Sequence, residues 1–126
     1  ERVGLSASPA WRRVRRMTEE GVIAAQVVLV PPRALGLSAL AYVQVSLLDH
    51  REETIAAFDR FVQAEDQVVE CATITGASDY LLKIVAEDAE GLERFLMRRL
   101  LATGIIRATV TNFVLRQTKY TTALPV

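Results

Sequence analysis

The chain has 126 residues, of which 51% are hydrophobic and 24% charged, and its formal net charge is zero. That length supports one domain, or a small domain with a fragment, around a substantial core. The composition excludes a disordered chain, and the neutral average excludes a uniformly basic polyanion binder.

Charge is unevenly placed. Arg12, Arg13, Arg15 and Arg16 crowd five positions near the start, so that end could meet a polyanion. Residues 1–26 read as the tail of one helix, a turn and a full helix. Gly4 is a helix stop, Ser6 and Ser8 are N-cap candidates, and Pro9 suits a first helical turn. Ala10, Val14 and Met17 share one face, with Arg12 and Arg16 pointing away and Arg13 and Arg15 flanking. Glu19-Glu20-Gly21 ends the helix. The pattern fits a helix-turn-helix whose second helix is Ser8–Glu20, with its N-terminal residues near base edges and its arginines on phosphates. A solvated basic face is the plainer alternative. Trp11 is either an anchor between helices or a groove contact.

The β-branched run Val22–Val30 predicts a connecting strand, and Pro31–Gly36 a linker. Beyond it Ala39–Leu48 alternates as a strand, with Tyr42, Gln44 and Ser46 opposite Ala41, Val43, Val45 and Leu47. Asp49 and Glu52 form a capping box for a helix running to about Glu65, with Ile55, Phe58 and Val62 as its stripe. A strand over Gln67–Thr75, a polar turn and a strand over Tyr80–Ala86 follow. Asp88 caps a second helix carrying Leu92, Phe95, Leu96 and Leu100, which closes at Thr103-Gly104. A last strand spans about Ala108–Gln117.

Strand, helix, strand, strand, helix, strand is the order of two split βαβ units. It predicts an α+β, ferredoxin-like βαββαβ domain, a four-stranded antiparallel sheet with both helices on one face. The other face is neither core-like nor fully solvated, so it predicts a homodimer through that face. The expected domains are 1–26, the C-terminal part of a winged helix-turn-helix domain; 27–36, a connecting strand and linker; and 37–126, an effector-binding and oligomerisation domain.

Gly76-Ala77-Ser78-Asp79-Tyr80 concentrates a glycine, a hydroxyl, a carboxylate and a phenol between two apolar strands. An ordinary hairpin needs fewer such groups. Catalytic signatures and metal-ligand spacings do not occur, and no cofactor is implied. Cys71 is read as a small core residue and His50 as a solvated loop residue. One cysteine permits no intramolecular disulfide, and no apolar run has the length of a membrane span. The expected location is cytoplasmic. The chain opens on Glu1-Arg2 without Met, so its natural N-terminus is expected further upstream.

Val3-Gly4-Leu5-Ser6, Arg12-Arg13-Val14-Arg15-Arg16-Met17 and Glu20-Gly21-Val22-Ile23 resemble the recognition-helix segment of Lrp/AsnC (feast/famine) transcription regulators. Thr75-Gly76 with Asp79-Tyr80-Leu81-Leu82 resembles the turn in that family's effector domain. Lys119-Tyr120-Thr121-Thr122-Ala123-Leu124-Pro125 is similar to family C-termini. The resemblance covers essentially the whole chain. Two departures stand out: a first helix and most of a second, expected ahead of Val3, are absent, and Thr103–Thr111 reads about one residue longer than expected.

The resemblance implies a DNA-binding regulator whose assembly responds to a small effector, most often an amino acid. It implies dimers assembling to octamers, with the effector between subunits. Carried over by position, Gly76, Ala77, Ser78, Asp79, Tyr80, Thr103, Gly104 and Ile105 line the effector pocket. Ser6, Ser8, Arg12, Arg13 and Arg16 face DNA, the first three near bases and the last two at phosphates. Asp79 either holds the effector's ammonium or shapes the turn. The competing reading is a stand-alone sensing module without DNA binding of its own.

Overall fold

The computed structural model describes residues 8–126. Ser6 and Gly4, read as a DNA contact and a helix stop, lie outside the described residues. The chain divides into two compact units, 1–30 and 31–126.

In the first unit Pro9 occupies the opening turn of helix α1 (Pro9–Glu19), where its missing N–H costs nothing. Ser8 is the N-cap, and its side chain accepts a hydrogen bond from the Trp11 N–H at 3.1 Å. Val14 and Met17 are half-buried, while Ala10 and the four arginines are exposed. Trp11 is 44% exposed, with the Arg15 guanidinium 5.5 Å from its ring centre. Gly21 turns the chain at φ +84°, as the helix-ending glycine predicts. The strand expected over Val22–Val30 is not formed. Val27, Val28 and Leu29 are exposed, and a lone β-branched run has no ladder to complete its hydrogen bonds.

The second unit opens with a short 3-10 turn, Pro32–Leu35, in place of a plain linker. Strands β1 (Ala39–Leu47), β2 (Val68–Thr73), β3 (Tyr80–Ala86) and β4 (Ile106–Phe113) form one antiparallel sheet in the order β2-β3-β1-β4. Helix α2 (Glu52–Ala64) joins β1 to β2, and α3 (Ala89–Phe95) begins the connection from β3 to β4. Each βαβ crossover therefore skips one strand, which is the ferredoxin-like topology.

Strand alternation makes the core. Ala41, Val43, Val45 and Leu47 of β1 and Leu82, Ile84 and Ala86 of β3 bury one face against Phe58, Val62, Leu92, Phe95 and Leu100. The opposite face carries the cross-strand pairs Leu40 with Val85, Tyr42 with Lys83 and Gln44 with Leu81.

Three local expectations are corrected. Thr54, not Ile55, joins Phe58 and Val62 on the buried stripe of α2; Ile55 is 39% exposed. Asp49 and Glu52 form no capping box. The Asp49 carboxylate accepts instead from the Arg51 N–H (3.1 Å) and the Thr54 hydroxyl (2.6 Å). These bonds and the Arg51 guanidinium hold the Asp49 pKa down at about 2. Cys71 is exposed rather than buried, because β2 is an edge strand whose helix side α2 covers only in part. It opens on a cleft of about 510 Å³ with Ile55, Asp59, Val62 and Tyr80. Desolvation there, then Asp59, pushes its thiol pKa up, away from nucleophilic character.

The second helix changes pitch instead of running evenly to Gly104. After Phe95 it widens into a π-turn, Leu96–Leu100, and then tightens into a 3-10 turn, Leu101–Thr103. Leu100 follows Phe95 by five residues, which overshoots a 3.6-residue turn but suits a π-turn, so both stay buried. Gly104, at φ +75°, then ends the helix.

Candidate functional site

The last residues of β1 are the hub of one end of the sheet. On one side, Asp79 N–H donates to the Val45 carbonyl at 2.9 Å, and Leu47 N–H donates to Asp79 Oδ2 at 2.8 Å. On the other, Leu48 N–H donates to the Ile105 carbonyl at 2.9 Å, and Leu47 pairs with Ile106. The polar turn and the Thr103-Gly104-Ile105 loop, distant in sequence, therefore flank the same four residues.

Gly76 allows the turn: at φ +114° it occupies backbone space that L side chains rarely adopt. Asp79 then holds it shut, its carbonyl accepting from Ile74 N–H at 3.0 Å. The second carboxylate oxygen, Oδ1, lies 3.0 Å from His50 Nε2. The Leu47 N–H bond, followed by His50 and Arg107, holds the Asp79 pKa below the usual carboxylate value against partial desolvation.

The remaining predicted effector residues divide between the two sides of the sheet. Ser78 turns toward the open sheet face, its hydroxyl 3.3 Å from Gln44 Oε1. Tyr80 turns to the helix side, its ring centre 4.5 Å from that of Phe58. Ile105 packs on the core, Gly76, Ala77 and Gly104 are exposed, and the Thr103 hydroxyl donates to the Leu100 carbonyl at 2.7 Å.

Gln44, His50 and Arg107 were not among the predicted site residues. His50 is 67% exposed at its side chain, as a loop residue should be, but its partner Asp79 is 29 positions away. Arg107 enters through a bulge: Leu47 opposes Ile106 and Ser46 opposes Ala108, so β4 carries one extra residue between them. That bulge falls inside Thr103–Thr111, the segment read as about one residue longer than expected, and β4 starts at Ile106 rather than near Ala108.

Replacing Asp79 by alanine strands a buried N–H on Leu47, and a loss of about 1–3 kcal/mol is expected near neutral pH. Because the folded-state pKa is depressed, this contribution is present above the unfolded value, about 3.9, and is lost as pH falls through the folded value. Urea denaturation at about pH 7 and pH 3 should find wild type and Asp79→Ala converging in acid. An equal gap at both pH values would refute the assignment.

The Lrp/AsnC ligand binding domain matches residues 40–124, and a winged helix-turn-helix DNA-binding domain matches residues 1–24. The chain belongs to the Lrp/AsnC family. It is 32% identical over 126 residues to the transcriptional regulator AzlB of Bacillus subtilis, spanning all of this chain and 80% of that protein. It is 35% identical over 119 residues to the leucine-responsive regulatory protein of Rhizobium meliloti, 94% of this chain and 76% of that one. Among solved structures, an AsnC family regulator from Agrobacterium tumefaciens superimposes with a TM-score of 0.84 at 36% identity, over 98% of this chain and 80% of that one. The NMB0573/L-Met complex from Neisseria meningitidis does so at 0.87 and 28% identity, over 94% and 76%. The chain is thus a member of a family of DNA-binding transcriptional regulators with a ligand-binding domain. Among the described residues, no helix is long and apolar enough to cross a membrane, and no cluster of His, Cys, Asp or Glu could hold a metal ion.

Proposed function

We propose that this chain is a transcriptional regulator that binds an amino acid at the β1 end of its sheet and DNA through α1. One observation carries the reading: the turn at Gly76–Tyr80 and the loop at Thr103–Ile105 converge on Val45–Leu48 within a family-matched ligand-binding domain. Exposed backbone around Gly76 and Gly104 supplies N–H groups for a ligand carboxylate, and Asp79 supplies an anion for an ammonium. The Neisseria relative is a complex with L-Met, which supports this ligand class.

The assignment of Gly76, Ala77, Ser78, Asp79, Tyr80, Thr103, Gly104 and Ile105 to that site is part of the same reading. So is DNA contact through Ser8, Arg12, Arg13 and Arg16, supported by the helix-turn-helix match over residues 1–24. The open sheet face, half-buried at Tyr42, Gln44 and Leu81, takes a second copy of the chain, and dimers assemble further toward an octamer. Residues 1–26 then serve DNA and residues 37–126 serve effector and assembly. Catalysis has no part in this reading.

A thermal-shift screen of the twenty amino acids tests it. At a concentration 100-fold above its Kd, a ligand specific for the folded state adds about 2.7 kcal/mol, several degrees in Tm. A response to one amino acid or one side-chain class is expected. No response to any of the twenty would sink the proposal.

A further inference from the structure

The chain has a single histidine, and its imidazole lies against the one carboxylate of the candidate effector turn. The two oxygens of that carboxylate are unlike. Oδ2 is committed to a main-chain N–H, that of Leu47, and so helps fix the hairpin to β1. Oδ1 faces a side chain that is 67% exposed and reaches it from the loop after β1. A solvent-borne cation can take over Oδ1 without breaking the Leu47 bond. It cannot take Oδ2 without loosening the turn.

We propose that His50 is a positioning residue of the effector site, holding Asp79 Oδ1 until the ammonium group of an incoming ligand displaces it. This rests on the amino-acid reading above and adds to it a specific exchange of one cation for another. Imidazole is the side chain whose charge changes between about pH 5 and 8. Below that range the ligand must displace a charged partner, and above it a neutral one. When the ammonium takes Oδ1, the imidazole loses its anionic partner and gains a cationic neighbour. An imidazole that carries the charge then gives its proton to the buffer, while the ammonium keeps its own.

The surrounding charges leave this exchange to His50. From β4, Arg107 acts on Asp79 but carries a fixed charge. Within the loop, Asp49 and Arg51 are paired with each other at 3.1 Å. Glu52 and Glu53 open α2, two and three residues beyond His50, and Tyr80 follows Asp79 in β3, where burial pushes its phenol up.

Calorimetric titration of the full chain with each of the twenty amino acids, in two buffers of different ionisation enthalpy, tests the exchange against His50→Gln. Glutamine keeps a donor for Oδ1 but does not titrate. Wild type should release protons on binding and lose about two- to fivefold in affinity between pH 7.5 and 5.5, the scale of an exposed ion pair. His50→Gln should release none and bind equally at both pH values. The same proton release and pH profile in both proteins would overturn the proposal. Binding without proton release by wild type would overturn it while leaving the effector site standing. If no amino acid binds, the effector reading falls, and the exchange falls with it.

Discussion

Replacing Phe58 by alanine is expected to destabilise the effector domain by about 3–5 kcal/mol, measured as a lower urea midpoint with an unchanged slope. The ring is 1% exposed and sits where α2 meets the sheet, so its removal costs both transfer free energy and the cavity left behind. Against a typical total of about 5–15 kcal/mol, that is a large share. The substitution should also reach the proposed effector site. Phe58 stacks on Tyr80, the first residue of β3 and the last of the polar turn. Losing the ring leaves Tyr80 without its packing partner and loosens a segment whose other ties are hydrogen bonds to β1, Ile74 and His50 and pairing with β2. Phe58→Leu retains most of the volume and should cost less than half as much. If the alanine variant unfolds at the wild-type midpoint, the core assignment is wrong.

Much of this fold was legible because period-2 and period-3.6 patterns report burial directly. Ala41, Val43, Val45 and Leu47 alternate in sequence and are buried together in the structure. The order of elements then leaves few topologies, and the observed sheet is the expected one. Misreadings arose where burial depends on something outside the local pattern. Cys71 sits in an apolar run, but only strand order reveals that β2 is an edge. Val22–Val30 has strong strand propensity, and propensity supplies no pairing partner. Asp49 followed by Glu52 has the spacing of a capping box, yet Thr54 and Arg51 compete for the same carboxylate.

The candidate site was half legible. Gly76 and Gly104 were readable because both positions require a left-handed backbone, which few residues other than glycine supply. Asp79 stood out as the only carboxylate in its turn. Its partners did not, since Leu47 contributes a main-chain group and His50 lies far away in sequence. A pattern in one segment cannot encode a bond to another. Ser78 and Tyr80 would share a face in a continuous strand, and they part only because Ser78 lies in the turn before β3 begins at Tyr80.

DNA binding should weaken when Arg13 or Arg16 is replaced by alanine, about equally for specific and random sequences. Each phosphate-contacting charge adds about 0.9 to the slope of log affinity against log salt. In a dimer every substitution occurs twice, so each variant should lower that slope by about 2. Arg12, closer to the N-terminal end of α1, should behave differently. Its loss should cost about 1–3 kcal/mol and relax discrimination at particular base pairs. Arg15 provides the internal comparison. Its guanidinium already lies over the Trp11 ring and 3.7 Å from Glu19, so it is the arginine of the four least available to phosphate. Arg15→Ala should therefore leave the salt slope nearly unchanged. Quantitative binding across a range of salt concentrations separates these outcomes. Four variants with identical, unaltered slopes would make the arginines a solvated face and move DNA recognition away from α1.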